Sequence, residues 1–290
     1  MRIGQLTVVG VGLIGGSLAR ALRRARAVER VVGAGRSESH LARAQALGVV
    51  DDYSTDLATA VRGADVVLVC VPLGAMRAVF EAIKPALGAD TIVTDVGSAK
   101  GSVVADAEAA FGAGFEHFVP GHPIAGTERS GVEASFAELF ERRRVILTPL
   151  ERTRAEATAA VRAMWEAAGA EVVEMGVEHH DQVLAATSHL PHVLAYGLVD
   201  TLARWDSTHE VFGYAAGGFR DFTRIASSDP VMWRDIALAN RAAIVDALER
   251  YVADIQGLLE AVRAGDAERL ESVFRNAKSV RDRFVDTFEK

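Results

Sequence analysis

Apolar positions along the chain fall into two regimes. Up to residue 176, short runs rich in β-branched residues recur: "LTVVG", "RVVGAG", "DVVLVCVP", "TIVTDVGS", "FVPGHP", "RVILTP" and "EVVEMG" read as strands. Between them, stretches such as "ESHLARAQALG" and "RAEATAAVRAMWEAAG" place apolar residues three and four apart, the spacing of a helix face. Strand and helix in alternation predict a doubly wound α/β domain of Rossmann type with a mostly parallel sheet. After Gly176 the β-branched runs stop and long amphipathic stretches take over, among them "HDQVLAATSHLPHVLAYGLVDTLARW" and "WRDIALANRAAIVDALERYVADIQGLLEAVRAG". Two domains are expected, 1–176 built on the sheet and 177–290 all helical. With no internal repeat and no low-complexity linker, the boundary rests on the change of period alone.

The first strand-to-helix junction carries chemistry. "VVGVGLIGGSLARAL" sets Gly10, Gly12 and Gly15 in a GxGxxG spacing between an apolar strand and a helix. There the first glycine permits a tight turn, the second lets backbone approach a pyrophosphate, and the third lets helix and strand pack closely. Leu13 and Ile14 open the helix, whose free N–H groups and positive dipole end would receive the phosphates. A plain glycine turn is the alternative reading, and the matching flanks favour a dinucleotide. Ligands of such sheets lie outside the carboxyl ends of the strands. That makes Val71 and Pro72 at the end of "VCVP" candidates to border a cofactor. The same rule draws attention to Ser98 and Lys100 in "TDVGSAKG" and to His122 in "GHPIAGTERSG", although a histidine there can equally be a satisfied structural residue. At the end of the second strand, where an acidic residue would bind a ribose 2′-hydroxyl, stand Gly35, Arg36 and Ser37. An arginine and a serine there lean toward a 2′-phosphate and NADP, while Glu38 leaves NAD open.

Composition narrows the function classes. Half of the 290 residues are hydrophobic and 24% are charged, with a net charge of -7, which offers no electrostatic footprint for nucleic acid or an anionic membrane. A small-molecule ligand is favoured. No signal-like segment opens the chain and no apolar stretch approaches the ~20 residues that span a bilayer, so a cytoplasmic protein is expected. The single cysteine, Cys70, sits inside a strand run and reads as a buried thiol, which leaves no disulfide and no cysteine metal site. In the helical region, His189 and His192 lie three apart around Pro191, nearly on one helix face. Two histidines can bind a metal, but only Glu178 and Asp181 are near in sequence and no HExxH is present, so no metal is expected. Arg220 and Arg224 lie four apart beside Asp221. Arg224 falls among Phe222, Thr223 and Ile225, where an interior guanidinium would call for an anionic partner.

Taken in order, "GLIGGSLA", "TDVGSAKG", "HPIAGTERSG", "TSHLPH" and "GGFRDFTRIASSDP" resemble the prephenate/arogenate dehydrogenases of tyrosine biosynthesis, a likeness that runs from about residue 6 into the 230s. The resemblance implies oxidative decarboxylation of prephenate or arogenate, with hydride transfer to NAD(P)+ and aromatisation of the ring. It implies that His122 accepts a hydrogen bond from the ring hydroxyl, that Ser98 helps hold that hydroxyl or the nicotinamide carboxamide, and that Arg224 and His192 grip the substrate carboxylates. His189 is either a further substrate contact or an anchor of the kinked helix. A homodimer through the helical domain is also implied. Some members of that family carry a mutase or regulatory domain as well, and a chain of this length is expected to have room for neither. The rival readings are another two-domain dehydrogenase, of the β-hydroxyacid dehydrogenase or pyrroline carboxylate reductase type, and a nucleotide-sensing regulator. "GHPIAGTE" together with "SHLPH" argues against the first, and turnover with prephenate would exclude the second.

Overall fold

The computed structural model describes residues 2–127, 129–205 and 208–288. The α/β part runs β1 (Ile3–Val9), α1 (Leu13–Arg24), β2 (Val28–Ala34), α2 (Glu38–Ala46), β3 (Asp52–Ser54), α3 (Leu57–Val61), β4 (Val66–Val69), α4 (Met76–Ile83), β5 (Ile92–Asp95) and α5 (Lys100–Phe111). It continues through β6 (Phe118–Val119), β7 (Gly121–Pro123), β8 (Arg144–Leu147), α6 (Ala155–Ala167) and β9 (Glu171–Glu174). Helices follow: α7 (Val177–Leu184), α8 (Leu190–Ala203), α9 (Thr208–Gly213), α10 (Gly217–Thr223), α11 (Pro230–Ala239), α12 (Arg241–Ala264) and α13 (Ala267–Phe288). By compactness the chain divides into residues 1–241 and 242–290.

Every run read as a strand except "FVPGHP" forms one strand, and β3 is one more, too short and polar to show a period. The six-stranded sheet has the order β3-β2-β1-β4-β5-β6, all parallel. Central β4, "VVLV", reads as an unbroken apolar run because both of its faces are covered. In β4, Val66 and Leu68 join the core beneath α1 and α6, whereas Val67 and Val69 join the core beneath α3, α4 and α5. Trp165 and Leu18 fill the first layer, Phe80 and Met76 the second.

The sheet is not single, however. "FVPGHP" does not form one strand: Pro120, which has no N–H for a ladder, separates β6 from β7. β7 instead pairs antiparallel with β8, and β8 parallel with β9, in a separate three-stranded sheet. That break turns His122 out of the main ladder.

Register brings the working edge together. Val9 pairs with both Ala34 and Val69, and Val69 with Asp95, so the carboxyl ends of β1, β2, β4 and β5 finish level. The loops Gly10–Gly12, Gly35–Ser37, Cys70–Pro72 and Val96–Ala99 all leave from this edge, at the point where the strand order reverses between β1 and β4. Among the described residues no helix is long and apolar enough to cross a membrane.

Residues 242–290 comprise most of α12 and all of α13. Along α12, Val245, Val252, Ile255, Leu259 and Val262 are exposed at helical spacing.

Candidate active site

The glycine turn has the geometry its spacing predicts. Gly10 takes φ +93°, and a Cβ there would lie 2.3 Å from the Cys70 carbonyl oxygen, so both conformation and space require glycine. A Cβ on Gly15 would lie 2.5 Å from Val8 Cγ1 and 3.0 Å from the Gly10 oxygen, which is how α1 comes close to its strand. Nothing lies within 4 Å of the Cβ position at Gly12, the residue that leads into α1. No side chain caps that helix, which leaves the first-turn N–H groups of Leu13 and Ile14 facing outward from the strand edge. Open space, free donors and a positive dipole end fit a dinucleotide pyrophosphate. Half-buried Val71 and exposed Pro72 flank this turn at the end of β4. Cys70 is half-buried beside it, and burial raises its thiol pKa, so it is an inert packing group.

At the end of β2, Arg36 is exposed. Ser37 has a structural task that its sequence position did not announce: its Oγ caps α2 by accepting from the His40 N–H at 3.3 Å. The same hydroxyl lies 3.0 Å from Ser39 Oγ, and either can be the donor of that bond.

Past β5 the site becomes densely polar. Asp95 and Lys100 are both fully buried, with Lys100 Nζ donating to Asp95 Oδ2 at 2.5 Å and to the Gly121 carbonyl at 2.6 Å. Asp95 also accepts from the N–H groups of Gly97 and Gly121, at 2.7 and 3.1 Å. Burial pulls the Lys100 amine below its ordinary value while Asp95 pulls it back. The pair ties β5 to the residue just before His122. Ser98, half-buried, lies in the loop between Asp95 and Lys100.

His122 is 8% exposed, and its Nδ1 lies 2.9 Å from Nε2 of His180, which is fully buried. His180 Nδ1 in turn lies 2.8 Å from Asp181 Oδ1. The Asp181 carboxylate caps α5, accepting from Lys100 N–H and Gly101 N–H at 2.8 Å each. Burial opposes its ionisation, yet these bonds, that of His180 foremost, hold its pKa below the usual carboxylate value. Burial, followed by the charges of Lys100, His180 and His189, holds His122 well below the ordinary imidazole value. It is therefore neutral at neutral pH.

His189 and His192 flank the junction where α7 passes through a π-helical turn, Ala185–His189, into α8, with Pro191 in the first turn of α8. Pro191 thus starts a helix, and the irregularity before it is a π turn of the kind frequent at functional sites. His189 is 1% exposed; Asn240 Nδ2, 3.1 Å from its Nδ1, also donates to the Asp181 carbonyl at 2.8 Å. An amide nitrogen only donates, so His189 Nδ1 accepts and Nε2 carries the hydrogen. That Nε2 is buried with no hydrogen-bond partner among the described residues. Burial lowers the His189 pKa to about 4.

The His192 ring stacks on Trp233, centroids 3.5 Å apart and planes 18° apart, and its Nδ1 meets the Ser188 carbonyl at 2.8 Å. Burial lowers its pKa and the Arg224 charge lowers it further, against the Ser188 bond. The interior setting expected for Arg224 is not found. Arg224 and Phe222 are exposed, and Arg224 begins a 3-10 turn after α10, so Arg220 and Arg224 do not share one α-helix. Glu128 of "GHPIAGTERSG" lies outside the described residues.

His122, Lys100, His180, Asp181, His189 and Asn240 thus form one bonded cluster, and Arg224 acts on the neighbouring His192. His180 and Asn240 were not singled out from the sequence, and Asp181 only as a candidate metal ligand. The adjacent His-Asp pair in "EHHDQ" is the one local sign, and its partner lies 58 residues away.

The family model described as prephenate dehydrogenase, nucleotide-binding domain, matches residues 18–174, and that described as prephenate dehydrogenase, dimerization domain, matches residues 176–276. A cyclohexadienyl dehydrogenase of Zymomonas mobilis is 41% identical over 280 residues, 96% of this chain and 94% of that one. A prephenate dehydrogenase of Bacillus subtilis is 37% identical over 279 residues, 96% of this chain and 75% of that one. The crystal structure of Aquifex aeolicus prephenate dehydrogenase with hydroxyphenyl propionate and NAD+ superposes with a TM-score of 0.91 at 37% identity, covering 98% of this chain and 99% of that one. With the dinucleotide turn and the buried histidine cluster in place, these matches show that the chain belongs to the prephenate dehydrogenase family.

Proposed function

We propose that the protein is an NAD(P)+-dependent dehydrogenase that converts prephenate to 4-hydroxyphenylpyruvate, or arogenate to tyrosine, with loss of the ring carboxylate as carbon dioxide. The observation that carries this reading is His122: buried, neutral, and held at the carboxyl edge of the sheet by Lys100 through Gly121 and by His180. The bound nicotinamide supplies the hydride acceptor. Aromatisation makes the step downhill, so the protein's tasks are alignment and easing the hydroxyl proton away. His122 accepts that hydrogen through Nε2. Ser98 offers a hydroxyl that can donate or accept, and His189 Nε2–H offers a buried donor for a carbonyl or carboxylate oxygen.

Arg224 and His192 take the substrate carboxylates. Arg224 is exposed, and a planar guanidinium fork suits a carboxylate. His192 spends its Nδ1–H on Ser188, so its Nε2 donates to a carboxylate only when the ring is protonated, and binding through it takes up a proton.

For the cofactor, Gly10, Gly12, Leu13, Ile14 and Gly15 hold the pyrophosphate, and Val71 and Pro72 border the nucleotide. Arg36 and Ser37 meet a 2′-phosphate, which tilts the choice toward NADP+ without excluding NAD+. In this reading residues 1–176 bind the dinucleotide, and residues 177–290 contribute substrate contacts and a homodimer interface. The exposed apolar stripe of α12 supports the dimer. The working place is the cytoplasm, where a chain with the single cysteine Cys70 needs no disulfide. Steady-state rates with prephenate and arogenate, each with NAD+ and NADP+, test the proposal. Reduction of either cofactor by at least one substrate is expected, and no reduction in any of the combinations would remove the reading.

A further inference from the structure

We infer that His180 and Asp181 are positioning residues that fix the tautomer of His122, making Nε2 its bare, accepting nitrogen. The inference rests on the reading that His122 receives the substrate hydroxyl. It follows from counting hydrogens along the chain of bonds. An ionised carboxylate only accepts, so the hydrogen between Asp181 Oδ1 and His180 Nδ1 belongs to His180. In the tautomer with its single hydrogen on Nδ1, His180 presents a lone pair at Nε2. The atom 2.9 Å away, His122 Nδ1, must supply the hydrogen of that contact. With Nδ1 protonated and the ring neutral, His122 Nε2 carries a lone pair, the form that can take a hydroxyl proton. Reversing the tautomer would set two lone pairs against each other at 2.9 Å inside the protein.

The first link is rigid. Asp181 is fixed at three points of its own: Lys100 N–H on Oδ1, Gly101 N–H on Oδ2, and Asn240 Nδ2 on its backbone carbonyl. A Cβ on Gly101 would stand 2.9 Å from Asp181 Oδ2, so the capping approach depends on glycine. The N-terminus of α5 favours the ionised carboxylate as well. When the substrate proton reaches His122 Nε2, the ring becomes a cation whose Nδ1–H points at His180 Nε2. His180 Nδ1–H then points at the Asp181 carboxylate. Positive charge gained in a buried site that already holds Lys100 is thereby answered by an anion two bonds away.

The test combines spectroscopy and kinetics. In the 15N-labelled holoenzyme, His122 is expected to show Nδ1 protonated and Nε2 bare. His180→Phe removes the acceptor, so kcat should fall about 10²-fold while KM for substrate and cofactor stays within about threefold. His180→Gln, whose side-chain oxygen can accept from Nδ1–H, should recover about tenfold of that loss. A protonated Nε2 on His122 in the wild-type protein overturns the inference whatever the variants do. Unchanged kcat in folded His180→Phe, or a Gln variant no better than Phe, overturns it too. Should His180→Phe not fold, the wild-type spectrum and the Gln variant decide. Because the tautomer is read without turnover, an enzyme inactive on prephenate and arogenate would refute the reaction assigned above while leaving this arm intact.

Discussion

Replacing Lys100 by Met tests whether the buried ion pair beneath the site holds it in place. Lys100 Nζ makes two short bonds, 2.5 Å to Asp95 and 2.6 Å to the Gly121 carbonyl, in a setting with no solvent exposure on either side chain. A methionine keeps the stem and loses both. Asp95 would retain only the N–H groups of Gly97 and Gly121 and would stand as an uncompensated buried charge. Each charge-assisted bond contributes about 1.5–3 kcal/mol, and removal of one partner of a buried pair costs about 3–5 kcal/mol, so a loss of about 4 kcal/mol and a Tm lower by roughly 10 °C are expected. Denaturant unfolding followed by fluorescence measures it. Adding Asp95→Asn to the same protein removes the stranded charge and should recover at least half of the loss, because partners in contact are not additive. A single variant within about 1 kcal/mol of wild type, or a double variant that costs the sum of the two singles, would refute the reasoning.

Three further outcomes follow from the site. His189, with its pKa lowered to about 4 by burial, binds a proton more weakly folded than unfolded; its contribution to stability is complete above pH 6.5 and is lost as pH falls toward 4. The loss amounts to about 3 kcal/mol, and His189→Asn should flatten this acid limb in pH-dependent denaturation. Arg36→Ala should raise KM for NADP+ about tenfold or more and barely change KM for NAD+; equal effects on the two would place Arg36 away from the 2′-phosphate. Arg224→Ala should raise substrate KM roughly 10-fold to 100-fold, with Lys restoring part of the loss. An unchanged KM would remove Arg224 from the substrate.

The elements of the α/β part were legible because their apolar runs answer to local rules. β1, β2, β4, β5, β8 and β9 are short and carry β-branched residues, and the glycine turn follows from what Gly10 and Gly15 must avoid. β3 was hidden because three residues, Asp52 to Ser54, carry no period. The second sheet was hidden because nothing local says that β7 leaves β6 for β8, although Pro120 marks the break. His122, Ser98 and Lys100 were visible as polar residues at strand ends. The partners of His122 were not: His180 lies on another element, and only folding brings it to 2.9 Å. Arg224 shows the opposite failure, where apolar neighbours in sequence suggested an interior that the turn after α10 does not provide.

Whether His122 takes up the hydroxyl proton is decided by His122→Asn. Wild-type and variant enzyme are mixed with prephenate and with arogenate in saturating cofactor, and the near-ultraviolet absorbance of the reduced nicotinamide is followed. A kcat at least about 10²-fold lower is expected in the variant, with substrate KM changed less than about threefold. Near-normal turnover in the variant would contradict it.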